Sequence, residues 1–208
     1  MALDLQEQEQ IDELKTWWQM YGRWVTIAIL VAAIVSLGWN GWRWWRQHQA
    51  QEAARIEAEL EAALARGELP QARAAGERLR QSRANPTLAD LSGLKLGHEL
   101  WQKGDRAAAR EELRRVADEG SEPYLRDLAR LREAAVLLDA GSAQEAFERL
   151  AAAPVSELAA RYEEARGDAL AALGRIEEAR AAYQRALDQG ADPAWRELVE
   201  LKRDGLGS

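Results

Sequence analysis

Between Arg23 and Arg43 the chain reads WVTIAILVAAIVSLGWNGW, 19 residues without an ionisable side chain. At about 1.5 Å per helical residue this run is about 28 Å long, close to the ~30 Å hydrocarbon core of a bilayer. Trp17, Trp18, Tyr21 and Trp24 stand at one end, and Trp39, Trp42, Trp44 and Trp45 at the other. Indoles favour the headgroup level, where the apolar ring is sheltered and the N–H still finds a partner. A core helix of a soluble protein has no use for two such belts at that separation. The pattern predicts one transmembrane helix, residues 24–45.

A cleaved signal peptide would have a short basic start, a shorter apolar run and small residues at the cleavage site. Here residues 1–23 are acidic, with Asp4, Glu7, Glu9, Asp12 and Glu13 against Lys15 and Arg23. Tryptophans occupy the place of the small residues, so the segment reads as an uncleaved signal anchor. Within the tail, Ile11, Leu14, Trp18 and Tyr21 recur at helical spacing opposite the acids, as in a helix on the bilayer surface or a tail that touches a partner. Lys and Arg near the span number two before it (Lys15, Arg23) and three after it (Arg43, Arg46, Arg55). That count leans toward a cytoplasmic C-terminal part, but a difference of one charge does not decide the side. Ala28, Ala32, Ser36 and Asn40 form one row along the span, a candidate surface for close helix packing. The same row is also what any Ala-rich span contains.

Residues 46–208 carry 25 Lys and Arg against 30 Asp and Glu. Their β-branched residues are only Ile56, Thr87, Val116, Val136, Val155, Ile176 and Val199, too few for a sheet, while Ala, Leu, Glu and Arg dominate. The fold class is all-α. Pro86, Pro123, Pro154 and Pro193 recur at intervals of 37, 31 and 39, and Gly104, Gly141 and Gly174 at 37 and 33. Each of these glycines separates two apolar-periodic stretches, as a helix C-cap in a helical hairpin does. Intervals near 34 with one internal turn are the mark of a helical-hairpin repeat.

The clearest unit is ARGDALAALGRIEEARAAYQRAL, residues 165–187. Gly167, Leu170, Gly174, Ala179, Tyr183 and Ala186 fit the tetratricopeptide pattern of small residues at the helix crossing and large ones filling it. Ala134, Leu137, Gly141, Ala146 and Leu150 take the same offsets one unit earlier; Gly97, Leu100, Gly104, Ala109, Leu113 and Val116 do so before that. A degenerate unit runs through Leu60, Gly67, Ala72 and Leu79. A tetratricopeptide-like α-solenoid of about four hairpins is expected over 46–204, followed by a tail, 205–208. The last hairpin, 165–187, is expected to have a packed neighbour on one side only. No helix breaker lies between Gly41 and Gly67, so the span either runs into the first repeat helix or joins it flexibly near Gln47–Gln51.

Composition narrows the function. A net charge of −7 disfavours a nucleic-acid binder. With no cysteine there are no disulfides or thiolates, and two histidines, His48 and His98, are too few for a usual zinc site or a Ser/His/Asp arrangement. His98 reads as a groove or surface residue. The pairs Glu111–Glu112, Glu163–Glu164 and Glu177–Glu178 are neighbours on helices that point to different faces and read as solvated surface. The tripeptide Arg166–Gly167–Asp168 falls mid-helix, where no adhesion loop can form. No catalytic site, metal or cofactor is implied. The working surface is the concave face of the stacked hairpins. Trp101, Tyr124 and Tyr162 on its first helices either contact an extended chain or pack between repeats.

An acidic tail ending in aromatics, one span closed by GWNGWRWW, and the repeats through Leu187 together resemble the YfgM-like family of ancillary SecYEG translocon subunits. The resemblance runs from about Leu5 to about Leu201, its most specific piece being Arg166–Leu187. It implies a single-pass protein of the bacterial inner membrane, N-terminus in the cytoplasm and repeats in the periplasm. The partners it implies are the SecYEG translocon, the PpiD-type periplasmic chaperone and translocating polypeptides. A non-enzymatic, membrane-tethered protein-binding module is therefore expected; the alternative is a scaffold or assembly factor of an envelope machine for cell division or polymer export.

Overall fold

The computed structural model describes residues 2–190 and 192–207, with side chains from Lys15 onward except Thr16. Two units divide between Gln51 and Glu52. The first is formed by helix α1 (Ala2–Ala65), which contains Gln47–Gln51 and also supplies the opening helix of the second unit. From Trp17 onward α1 is long and apolar enough to cross a membrane, with a window of mean hydropathy 1.8 that is only 6% buried. The core helix of a soluble protein would be mostly covered. All eight belt aromatics are exposed. Asn40 donates a side-chain N–H to Ser36 O of its own helix, 3.0 Å away. Ile11 and Leu14, with the acids opposite them, lie outside the described side chains.

In the second unit the end of α1 pairs with α2 (Leu69–Ser82), α3 (Pro86–Gln102) with α4 (Arg106–Glu119), α5 (Pro123–Asp139) with α6 (Ala143–Arg149), and α7 (Ala159–Ala172) with α8 (Ile176–Gln189). A further helix, α9, covers Pro193–Asp204. No strand occurs among the described residues. The four hairpin turns share one mechanism. At the end of α7, Gly174 N–H donates to Ala171 O (3.0 Å) and Arg175 N–H to Leu170 O (2.9 Å), which satisfies the last free carbonyls of the helix. That path requires a left-handed residue, and Gly174 has φ +72°. The same pair of bonds recurs at Gly67, Gly104 and Gly141, so the degenerate first unit turns like the others.

Packing between paired helices follows a small-against-large rule sixteen residues apart: Gly97 with Leu113, Ala134 with Leu150, Gly167 with Tyr183. A Cβ on Gly97 would lie 2.7 Å from Leu113 Cγ, and one on Gly167 2.5 Å from the Tyr183 ring. Only a hydrogen fits there. Leu60, Ala72, Leu79, Leu100, Ala109, Leu137, Ala146, Leu170, Ala179 and Ala186 are all buried.

Pro86, Pro123 and Pro193 open α3, α5 and α9 at the first helical turn, where a missing N–H costs nothing. Pro154 does not open a helix. It lies in the loop after α6, which stops at Arg149 after seven residues, and a short 3₁₀ turn (Ser156–Leu158) follows. Arg166 from α7 covers the carbonyls this early end exposes, donating to Leu150 O (2.9 Å), Ala151 O (3.3 Å) and Ala152 O (3.3 Å).

Helix α9 corrects the expected one-sided last hairpin. The stretches GSEPYLR (120–126) and GADPAWR (190–196) begin α5 and α9 alike. In both, the arginine reaches back to the glycine carbonyl, Arg126 to Gly120 O (2.8 Å) and Arg196 to Gly190 O (2.9 Å). By this register α9 is another first helix. Its Trp195 and Val199 are buried with Ala179, Tyr183 and Leu187 of α8, so the hairpin 165–187 is covered on both sides. Gly207, after α9, is also tied down, because Arg180 donates to its carbonyl (2.8 Å).

Candidate protein-docking face

The first helices lie side by side. Lys95 of α3 pairs with Glu61 of α1, Arg132 of α5 donates to Leu94 O of α3 (3.1 Å), and Lys202 of α9 pairs with Glu164 (3.0 Å) and Asp168 (2.8 Å) of α7. Tyr162 belongs to this seam and not to the surface. It is 0% exposed, and its hydroxyl donates to Asp127 O of α5 at 3.1 Å. Burial and the nearby Asp127 carboxylate push this phenol up to about 12. Of the two roles the sequence allows this aromatic, contact with an extended chain or packing between repeats, it takes the second.

Trp101 is half-buried. Its indole N–H donates to Asp139 Oδ2 (3.2 Å), which also accepts from Arg106 (2.5 Å), so it joins the ends of α3 and α5. Tyr124 is 45% exposed and free to meet a ligand. Among the described residues of the repeat unit, the exposed large apolar side chains are Leu91, Tyr124, Leu198 and Leu201. All stand on first helices: α3, α5 and α9.

Their register is informative. Leu94, Leu131 and Leu201 are equivalent positions, spaced 37 and 70. Leu94 is 3% exposed in the core beneath α5, Leu131 is partly buried with Leu158 and Tyr162 of the next unit, and Leu201 is 66% exposed. A following first helix covers the first two; among the described residues no first helix follows α9. Between α5 and α7 the same face opens into a groove of about 410 Å³ lined by Tyr124, Leu128, Leu131, Leu158 and Ala165, together with the charged Arg161, Glu164 and Asp168. Such a groove accepts apolar side chains of an extended or helical segment.

A larger cleft, about 980 Å³, separates second helices α2 and α4. Its walls are Arg and acidic side chains already paired with each other, as Arg115 with Glu112 (2.5 Å), Arg73 with Glu111 (3.5 Å) and Arg114 with Asp118 (3.7 Å). Size alone does not make it the better site, because a ligand would have to compete with those pairs. The smaller groove has the exposed Tyr124 at its edge beside a lining of leucines.

Buried charge fixes the seam, and here the sequence misled. Glu163 and Glu164 point to different sides as expected, but neither is solvated. Glu163 accepts from Arg166 (2.5 Å) and Arg185 (2.7 Å); Glu164 accepts from the Trp195 indole (2.5 Å) and Lys202 (3.0 Å). Burial alone would raise the Glu164 carboxyl, but those two donors outweigh it and hold it below the usual range. Arg161 lies over the Trp195 ring at 5.0 Å. Glu133 is the opposite case: burial raises it, against the pull of Arg149 at 2.7 Å, and its Oε1 has no hydrogen-bond partner. Asp90 and Asp127 are a further pair that composition hid, accepting from Ser121 N–H (2.7 Å) and Val155 N–H (2.8 Å) to hold the loop into the next unit. Their spacing of 37, shared with Gly104–Gly141, was the available signal. Among the described residues no group of three His, Asp or Glu is placed to hold a metal ion.

Residues 15–208 match the family described as tetratricopeptide repeat-like domain. The chain belongs to this family. Its full length is also similar to proteins named ancillary SecYEG translocon subunit: 26% identical to that of Haemophilus influenzae and 28% to that of Neisseria gonorrhoeae, each over 99% of this chain and 100% of the relative. The Escherichia coli protein of the same name is 26% identical over 96% of both chains. No solved structure matches. The resemblance read from the tail, span and repeats thus holds across the chain, and a repeat family of this kind indicates an adaptor that works by protein contact.

Proposed function

We propose that this chain is a non-enzymatic adaptor, anchored in the bacterial inner membrane by α1, that associates with the SecYEG translocon. The similarity over 99% of the chain to proteins named for that role carries the reading. The first-helix face supports it physically, since a row of exposed leucines and a tyrosine beside an apolar groove suits polypeptide docking and no chemistry. In this reading the N-terminus is cytoplasmic and the repeats are periplasmic. The face takes translocating polypeptides or a PpiD-type chaperone, and tethering raises the local concentration of such weak partners to roughly millimolar.

Two experiments test this. A reporter active only in the periplasm, fused after Ser208, should be active; an active cytoplasm-only reporter there would overturn the topology. Tagged chain drawn from gently solubilised membranes should bring translocon subunits with it. Recovery of cell-division or polymer-export components in their place would overturn the assignment.

A further inference from the structure

The acidic side chains of this chain avoid one segment. No Asp or Glu lies between Glu13 and Glu52, although the chain has 35 in all. Lys15, Arg23, Arg43 and Arg46 all fall there. A chain of net charge −7 thus keeps a wholly cationic stretch where its span meets the two membrane surfaces.

The two ends of the span differ in how the aromatics are arranged. At about 100° per residue, Trp17, Trp18, Tyr21 and Trp24 fall within one sector of about 120°. Trp39, Trp42, Trp44 and Trp45 instead go round the helix, leaving no open sector wider than about 140°, and Arg43 projects into that widest gap. All are exposed. The Arg46 guanidinium lies 4.4 Å from the Trp42 ring centroid, and His48 stacks on Trp44 at 5.6 Å. A protein partner covers one side of a helix, whereas lipid surrounds it. A closed collar of indoles with two guanidiniums among them therefore matches headgroups on every side.

We propose that the collar Trp39–Arg46 binds anionic phospholipids, its indoles at the boundary of acyl chain and headgroup and Arg43 and Arg46 on the phosphates. Guanidinium presents paired N–H donors that suit phosphate oxygens. Stacking on Trp42 holds one of them at the ring surface, where the local dielectric is low and the attraction is less screened. The proposal rests on the membrane-span reading of α1.

The test uses native tryptophan fluorescence, because seven of the nine tryptophans lie between Trp17 and Trp45. Full chain is reconstituted in phosphatidylcholine vesicles containing a minor fraction of lipid brominated in the acyl chain, either phosphatidylglycerol or phosphatidylcholine. Trp101 and Trp195 contribute the same background to both. Brominated phosphatidylglycerol should quench as if enriched about fivefold around the span at low salt. Arg43→Gln with Arg46→Gln should bring the two lipids toward parity while leaving quenching by phosphatidylcholine unchanged, which shows the span still inserted. Equal quenching by the two lipids in the native chain, or a preference that survives the double substitution, would overturn the proposal. Quenching by neither lipid would overturn the span itself and this inference with it.

Discussion

First and second helices of the same hairpins are built to opposite ends. Second helices α4 and α8 bury one alanine-rich stripe and cover the rest with Arg–Glu pairs, as Arg180 with Glu177 (2.9 Å) and Arg115 with Glu112 (2.5 Å). First helices bury charges, Asp127, Glu133, Glu163 and Glu164, and expose Leu91, Tyr124, Leu198 and Leu201. The inversion follows from the stack. A first helix touches its own partner, the previous second helix and the neighbouring first helix, so its polar groups must be satisfied inside the seam. What it leaves outward is then free to be apolar. A second helix has one packed side and a solvated remainder. In the proposed reading, binding falls to the first helices, while the second helices present paired charges to solvent.

The largest expected effect strikes what both helix types share. Ala179 is fully buried on α8 beside Trp195 and Val199 of α9. Ala179→Leu should lower stability by about 1–3 kcal/mol through overpacking, read as a shifted denaturation midpoint. A midpoint unchanged by this substitution would break the register on which the comparison stands.

Next comes the buried charge. Glu164→Gln keeps the shape but loses the charge-assisted bonds to Trp195 and Lys202, and should cost about 1–2 kcal/mol at neutral pH. The sign with pH is fixed by the direction of the shift. A carboxyl held below its ordinary 4.5 in the folded state contributes stability that is present above that value and lost as pH falls below it through the folded value. Melting curves of the native chain and Glu164→Gln should therefore converge as pH drops below 4.5. A gap that stays constant with pH would show that the carboxylate charge holds nothing.

Surface changes should cost least. Leu198→Glu with Leu201→Glu, and separately Ala181→Leu on the exposed side of α8, should each move stability by less than about 0.5 kcal/mol. A large loss from the leucine pair would mean that these side chains are structural, and the docking face would lose its main argument.

How far the sequence reveals this division depends on what each residue type signals alone. Turn glycines and the small-against-large pairs are readable because spacing, not environment, defines them: Gly167 and Tyr183 repeat Gly97 and Leu113 at the same separation. The apolar run of α1 and the exposed aromatics at its two ends are readable for the same reason. Buried carboxylates are not, because Glu163–Glu164 looks like Glu177–Glu178 until the arginines, Trp195 and Lys202 that satisfy it are brought together from α7, α8 and α9. Tyr162 fails likewise, since an aromatic on a first helix can fill the seam or face outward and only the neighbour at Asp127 decides. Exposed Leu201 was hidden because α9 had no visible unit to belong to, although GADPAWR repeats GSEPYLR.

If partners meet the first helices, their recovery depends on the exposed leucines of α9 and not on the arginines of α4. The direct test compares tagged native chain with two variants, Leu198→Glu/Leu201→Glu on α9 and Arg114→Glu on α4, in gently solubilised membranes, scoring the translocon subunits and associated polypeptides recovered per molecule of chain. A several-fold loss of recovered partners is expected for the leucine variant, folded as judged by an unchanged melt, with native recovery for Arg114→Glu. Native recovery with the leucine variant, together with loss in Arg114→Glu, would instead place docking on the second helices.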